Sequence, residues 1–436
     1  MSLKRNLIIV SVILLFIVAG VGVMGVIFYR SYLAPLFAMR EVPSALSESR
    51  ILTGADFLTK SEFYRTDKDS SLMDVLEEDK AANRFESIRD MSIGQFDGQP
   101  GLDLGLAGMF GMTILDLNGQ VKERVEYQFE KGKIEVAGFK MERPKDSFPQ
   151  MRVLDVEGDG VCEILGFGGT DGAALFDHQG RVRFSRGTSQ EGQPSIREVT
   201  AGDLDADGKL EFVAGWGYDP SSIELFDRDG RSLWRHEEEF ISDSTEVVDV
   251  DADGRDEIVE TYGSELKIRD AQGKLKGSAT MPLSLNYLSL CPRPDGRGAS
   301  QILVVEEGKV VLLDLDGKNF SSFEAPLSKI KLDKPREVKF PGMDEPFVYE
   351  TEEVYRASGV WAKLQKDQPK YLAVVARFAA IDRSLFYVYD AQGKLLYHEI
   401  LPEDCNSVAV LPSAREDGGE DILVGGEKTI WRYAAH

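Results

Sequence analysis

The sequence predicts an all-β protein, a seven-bladed β-propeller with four-stranded blades preceded by one N-terminal transmembrane helix. Three observations carry the prediction. Near the N-terminus 23 residues, Leu7 to Tyr29, pass without a charge. A self-similar unit of about 45 residues recurs down the rest of the chain. Turn chemistry divides each unit into four short strands.

The apolar run has the roughly 20 residues that a spanning helix needs, and Ser11 is its only clearly polar member. Lys4 and Arg5 precede it and Arg30 follows, a mild bias toward a cytoplasmic N-terminus and an extracytoplasmic bulk, periplasmic or extracellular. A cleaved signal peptide is the alternative. Its apolar core would be shorter, and here the run continues past Ala19-Gly20 to Tyr29. Residues 1–30 are therefore read as a signal anchor. Ala19, Gly22 and Gly25 place small residues where another helix could approach, although glycine is common in such helices anyway.

The chain of 436 residues has a net charge of −23, and residues 1–30 contain no acid, so the remainder is more acidic still. Such a surface suits cations or a basic partner and lacks the basic footprint that nucleic acid requires. Cys162, Cys291 and Cys405 are odd in number and far apart, with no C-x-x-C, which reads as buried thiols or one chance pair rather than a metal or redox motif.

The clearest unit begins with the strand-like Ile196-Arg-Glu-Val-Thr-Ala and runs into Asp203-Leu-Asp-Ala-Asp-Gly-Lys-Leu-Glu211. Phe212-Val-Ala-Gly-Trp-Gly217, Ile223-Glu-Leu-Phe226, a turn at Asp227-Arg-Asp-Gly230 and Ser232-Leu-Trp-Arg235 complete four strands. Matching units surround Asp155–Glu163 and Asp249–Glu257. Weaker ones end their first loop at Asp103, Gln301, Tyr371 and Asp421, which makes seven. Valine, glycine and Asp turns without helical periodicity separate them from helical arrays of similar period. These units resemble FG-GAP repeats, the blades of integrin α-subunit propellers and of many bacterial surface proteins. The resemblance spans roughly residues 84–436 and is specific in blades two to four.

In a D-x-D-x-D-G-x-x-D/E loop, carboxylates at positions 1, 3, 5 and 9 and a backbone carbonyl at 7 can converge on one cation, with glycine at 6 permitting the turn. Three loops fit: Asp155, Glu157, Asp159 and Glu163; Asp203, Asp205, Asp207 and Glu211; Asp249, Asp251, Asp253 and Glu257. The resemblance implies Ca²⁺ at these positions, with Val161, Lys209 and Arg255 giving the carbonyls. An acidic turn whose side chains cap their own backbone is the plainer alternative. Blades one, five, six and seven break the pattern, with Gln95 and Gln99, Arg293 and Arg297, no acids, and Ser413 and Arg415 respectively, so no metal is expected there. The six D-x-x-G turns, such as Asp177–Gly180 and Asp390–Gly393, read as hairpin turns with no chemistry of their own.

No sequence constellation marks a catalytic centre. His178, His236, His398 and His436 stand apart, and no nucleophile elbow, zinc helix or phosphate loop is present. The expectation is a non-catalytic, membrane-anchored binding or scaffold module, an accessory subunit or adhesion protein with protein partners. The alternative is an enzyme acting on surface polysaccharide or lipid through loops of one propeller face. Residues 31–83 are read as a linker holding a closing strand and a short helix at Ser70–Ala82, and residues 84–436 as the propeller. Thr429-Ile-Trp-Arg-Tyr433 matches a third strand, so a strand from within 46–66 is expected to supply blade seven's fourth and cover its edge. The spacing of 70 from Gln301 to Tyr371 places an insertion at about 327–366, where Tyr349, Tyr355 and Trp361 are candidate anchors for a partner.

Overall fold

The computed structural model describes residues 42–66, 88–96, 101–108, 111–128, 131–136, 139–144, 150–168, 172–186, 196–217, 221–238, 242, 244–285, 287–295, 300–338, 345–378, 381–413 and 418–436. The apolar run at 7–29 and the expected helix at Ser70–Ala82 lie outside these residues. Among the described residues no helix is long and apolar enough to cross a membrane. Among the described residues the one helical element is a 3-10 turn at Ser44–Leu46.

Seven sheets form the blades. Blade 1 is Ile88–Gly94, Asp103–Gly108, Gly111–Leu115 and Val121–Glu126. Blade 2 is Gln150–Leu154, Glu163–Phe167, Ala173–Phe176 and Val182–Arg186. Blade 3 is Ile196–Gly202, Glu211–Trp216, Ser222–Phe226 and Ser232–Glu237, and blade 4 is Ser244–Val248, Glu257–Tyr262, Glu265–Arg269 and Leu275–Thr280. Blade 5 is Leu290–Cys291, Gln301–Glu306, Lys309–Leu313 and Phe320–Glu324. Blade 6 contains Phe347–Ala362, Tyr371–Phe378, Ser384–Tyr389 and Leu395–Leu401, and blade 7 contains Cys405–Pro412, Glu420–Gly426 and Thr429–Ala435. Every pairing within them is antiparallel, as consecutive strands joined by short turns require.

The expected closing strand is present. Leu58–Arg65 pairs antiparallel with Thr429–Ala435, from Leu58 opposite Ala435 to Arg65 opposite Thr429, and becomes the outermost strand of blade 7. A second strand was not anticipated: Arg50–Thr53 adds to the outer edge of blade 6, with Arg50 opposite Ile400. The segment before it is also tied down. Leu46 is fully buried against blade 6, and Arg383 donates through Nε to the Leu46 carbonyl at 3.1 Å.

Seven apolar clusters fill the gaps between successive blades and close the ring. Met112 and Ile164 meet between blades 1 and 2, and Leu106 and Leu423 meet between blades 1 and 7. Because a blade has neighbours on both faces, its middle strands read as continuous apolar runs; Glu163–Phe167 and Gly111–Leu115 are buried along their whole length. The outermost strand has one wet edge, and Ser232–Glu237 is mostly exposed. Each fully buried large apolar side chain contributes about 1.5–3 kcal/mol. The three cysteines are buried and unbridged, and burial pushes the Cys162 thiol up to about 11.

The D-x-x-G turns turn out to set the spacing between blades. The Gly180 amide donates to the Asp177 carbonyl at 2.8 Å, with Gly180 at φ 73°. A Cβ on Gly180 would lie 2.2 Å from the Glu126 carbonyl oxygen of blade 1, so only glycine lets the blades approach.

Strand alternation divides the ring into two faces. Loops joining first to second strands, and turns joining third to fourth, lie at one end of every blade and make the loop face. Connections from one blade to the next lie at the other end. The insertion is such a connection. Lys329–Val338 pairs with the first half of Phe347–Ala362, from Lys329 opposite Glu353 to Val338 opposite Phe347. The second half of that strand, Val354–Ala362, is the innermost strand of blade 6. The insertion is thus a two-stranded ribbon extending blade 6 on the face opposite the acidic loops. This corrects the sequence expectation at two points. Residues 354–362 belong to the blade, and Trp361 is half-buried against the core between blades 5 and 6 rather than offered to a partner.

Candidate functional site

The three acidic loops share one backbone. Position 4 is left-handed at Gly158 (φ 66°), Ala206 (φ 63°) and Ala252 (φ 60°), and position 6 at Gly160, Gly208 and Gly254. The first aspartate builds the turn by accepting two amides. Asp203 accepts from Asp207 at 3.0 Å and Gly208 at 2.8 Å, and Asp155 and Asp249 repeat the pattern. The closing glutamate accepts the amide of position 2: Val156 to Glu163 at 3.0 Å, Leu204 to Glu211 at 3.1 Å, Val250 to Glu257 at 2.9 Å. The loops are also stitched to one another, since Cys162 donates to the Gln95 carbonyl, Leu210 to Val156 and Asp256 to Asp203. They form one hydrogen-bonded arc from blade 1 to blade 4.

Their carboxylates differ in surroundings. Asp203, Asp205 and Glu211 bring one oxygen each within 4.8 Å of one another, as do Asp249, Asp251 and Glu257. In blade 4, however, Lys276 of the outer strand places its ammonium 2.9 Å from Asp251 and 2.6 Å from Glu257. In blade 2, Arg183 lies 2.5 Å from Glu157 and 3.4 Å from Glu163, and Lys209 and Arg228 also approach Glu157 at 3.8 and 3.7 Å. Blade 1 repeats the arrangement with Lys122 at 2.9 Å from Asp103. Lys276, Arg183 and Lys122 are each the third residue after the glycine of their D-x-x-G turn. In blade 3 that place holds the exposed Leu233.

Burial, the largest cause, and three aspartates raise the Glu211 carboxyl to about 7, as burial raises Glu163 to about 7 beside Arg183; the cation near the blade 3 loop is Arg228, 3.9 Å from Asp207. Two like charges 4.8 Å apart repel by roughly 1–3 kcal/mol between the water and protein-surface limits, a cost that a divalent cation would remove. All-oxygen donors on an exposed turn suit Ca²⁺, and Asp203, Asp205 and Glu211, with Asp207 beside them, fit it best. Asp249, Asp251 and Glu257 gather around a place that Lys276 already neutralises in part, whereas no three of Asp155, Glu157, Asp159 and Glu163 bring carboxylate oxygens within that distance, and Arg183 lies beside Glu157 and Glu163.

On the opposite face the ribbon carries three consecutive exposed large apolar residues, Phe347, Val348 and Tyr349, exposed by 54%, 53% and 41%, with the Phe347 and Tyr349 rings 6.4 Å apart. Their strand is anchored by Arg336 to Glu352 at 2.7 Å and by Ile330 and Leu332, which are buried beneath it. The N-terminal segment binds the base of the same ribbon. Ser44 donates its amide and hydroxyl to Asp333 at 3.1 and 2.8 Å, which holds the Asp333 carboxyl below its usual range. Tyr355 stands where the ribbon enters the blade, its ring 4.4 Å from that of Tyr287 and its hydroxyl donating to that of Tyr287.

No model of a known protein family matches the chain, and no curated protein matches its sequence. Solved structures match in fold. BBS1N in its complex with ARL6DN is 10% identical with a TM-score of 0.50, over 80% of this chain and 92% of that one. Streptogramin B lyase is 10% identical with a TM-score of 0.48, over 88% and 99%. BamB of Moraxella catarrhalis is 10% identical with a TM-score of 0.40, over 91% and 94%. The seven blade sheets arranged in a ring make the chain a β-propeller, and at 10% identity the likeness to BBS1N speaks for architecture alone.

Proposed function

We propose that this propeller is a membrane-held protein-binding module of the FG-GAP type whose working face is the one bearing the ribbon. The observation that carries the reading is the placement of the N-terminal segment. Residue 42 leaves the ring at the ribbon base, on the face opposite the acidic loops. If residues 7–29 span a membrane, the twelve residues 30–41 reach at most about 40 Å when fully extended. The ribbon face would then be turned toward the membrane and whatever assembly lies in it, and the acidic arc away from it. Calcium at the loops serves rigidity in this reading, foremost in blade 3, and no step of chemistry is assigned to it.

Phe347, Val348 and Tyr349 are the side chains offered to a partner, since an exposed aromatic and aliphatic cluster on a rigid ribbon loses little entropy on docking. The test is co-purification from the native membrane with the variant Phe347→Ser, Val348→Ser, Tyr349→Ser. All three positions are exposed, so melting should shift by no more than about 1 kcal/mol equivalent while partner recovery falls at least tenfold. Unchanged recovery of every partner would remove the ribbon from the account.

A further inference from the structure

The axis of the propeller holds a second site. Its mouth on the ribbon face is a cavity of about 540 Å³ between the inner strands. In a chain of net charge −23, the charged side chains lining this cavity are four arginines, Arg89, Arg152, Arg356 and Arg377, against two acids, Asp90 and Glu246.

The cations are unevenly satisfied. Arg152 forks onto Glu246 at 2.7 and 3.0 Å and lies 3.7 Å from Glu198, so this arginine is fully engaged and the wall of blades 2 to 4 carries one acid more than bases. Arg377 holds Asp404 at 3.0 Å, and Arg89 lies 3.6 Å from Glu427. Arg356 has no acidic partner among the described residues; its guanidinium stacks 5.3 Å from the Tyr287 ring centre. It is also the direct cross-strand partner of Arg377, an arrangement of like charges that destabilises a sheet unless something negative lies between. Burial, then Arg152 and Arg377, push the Arg356 pKa down, and Glu198 and Glu246 offset this only in part.

Two further observations point to the same sector. Buried polar atoms without a partner gather there: Nε of Arg89 and Arg377, Oδ1 of Asp404 and Asn406, and Oγ of Ser407. Four inner strands carry a β-bulge at this end, between Ile88 and Asp90, Ile196 and Glu198, Val354 and Arg356, and Cys405 and Ser407, and three of the four belong to this sector. Bulges at such places re-aim side chains, and here Arg89, Tyr355 and Asn406 are the extra residues.

We propose that the axial mouth between blades 6, 7 and 1 binds a carboxylate, presented by a protein chain on the ribbon side, with Arg356 as its guanidinium partner and Arg377, Arg89 and Asn406 around it. A guanidinium offers the planar fork that a carboxylate matches. Arg356 is the arginine of this mouth with no acid at ion-pair distance among the described residues, and a singly charged ligand adds least to the acids already there, Asp90 and Glu246. A doubly charged phosphate would bring a second charge toward Asp90, Asp404 and Glu246 with nothing to meet it. The site deepens the binding-module reading, but its test does not depend on the ribbon.

The experiment is equilibrium dialysis of the full chain in detergent with labelled N-acetylglycine, using N-acetylglycinamide and inorganic phosphate as competitors. We expect one saturable site per chain with a Kd on the order of 1 mM, unaffected by the amide. Arg356→Gln should weaken it at least tenfold, Arg356→Lys less, and Lys276→Gln on the loop face not at all. Asn406→Asp, which adds a tethered carboxylate to the wall of the cavity that Arg356 lines, should abolish binding and raise the melting temperature, and it serves as the deciding variant if Arg356→Gln fails to fold. Absence of saturable binding, equal binding by folded Arg356→Gln, or displacement by phosphate at lower concentration than N-acetylglycine would each overturn the proposal. Loss of partner capture in the ribbon variant with intact N-acetylglycine binding would leave this site standing, and the reverse would remove it alone.

Discussion

Lys276 and Leu233 hold equivalent places in neighbouring blades and create opposite surroundings for the acids beside them. The ammonium of Lys276 touches Asp251 and Glu257, whereas Glu211 faces three aspartates and the loop's nearby cation, Arg228, lies 3.9 Å from Asp207. Calcium should therefore act mainly through blade 3. A saturated site contributes on the order of 1–3 kcal/mol. Asp205→Ala should remove most of the calcium-dependent rise in melting temperature, Asp295→Ala none of it, and Lys276→Met should raise the calcium stoichiometry by one; melting curves with and without chelator and a direct calcium assay check all three. His398 gives a pH prediction. It is buried, stacked 4.8 Å from Tyr387, and burial depresses its pKa to about 4 from an ordinary 6.5. The unfolded chain takes up the proton first, so this contribution is full above pH 6.5 and is lost as pH falls toward 4, by up to about 3 kcal/mol. His398→Phe should flatten the acid limb of a melting-temperature-against-pH curve, and an unchanged limb would remove His398 from it. The aspartate ladder was legible in the sequence because its ligands lie within nine residues. The opposing cations were not read, because they arrive from the fourth strand about 20 residues later, although a base at the third position after each D-x-x-G glycine is a usable sign.

At the scale of elements, the shared loop backbone makes position 4 sensitive. Gly158 sits at φ 66°, and a Cβ there would lie 2.1 Å from the Gly208 carbonyl oxygen of the next loop. Gly158→Ala should cost about 1–3 kcal/mol in denaturant unfolding, more than Ala206→Gly or Ala252→Gly, which relieve a positive φ. Equal effects at the three positions would contradict the stitched arc. Blade strands were readable from apolar runs between Asp and Gly turns, and the closing strand from the unpaired edge that Thr429–Ala435 would otherwise present. The extra strand Arg50–Thr53 was not readable. It has four exposed residues and pairs with a strand nearly 350 positions away. The insertion was located by length alone. That it continues the inner strand of blade 6 depends on the bulge beside Tyr355, for which a β-branched and aromatic run offers no local sign.

At the scale of the whole molecule, the period of the repeat conveyed the ring and its seven gaps, each filled by its own apolar cluster. The axial arginines could not be assembled from sequence. Arg89, Arg152, Arg356 and Arg377 come from blades 1, 2 and 6 and meet only once the ring is closed. What the ring adds is polarity between faces: an acidic, hydrogen-bonded arc at one end, and a ribbon, an N-terminal tether and an arginine-lined mouth at the other. The central claim is that partners are met at the second end. The direct measurement is site-specific photo-crosslinking in native membranes, with the crosslinker placed at Tyr349 or Phe347 on the ribbon and at Asp229 or Asp253 on the loop face. The account predicts discrete protein adducts from the two ribbon positions and none from the loop positions. Adducts from Asp229 or Asp253, with none from Tyr349 and Phe347, would contradict it.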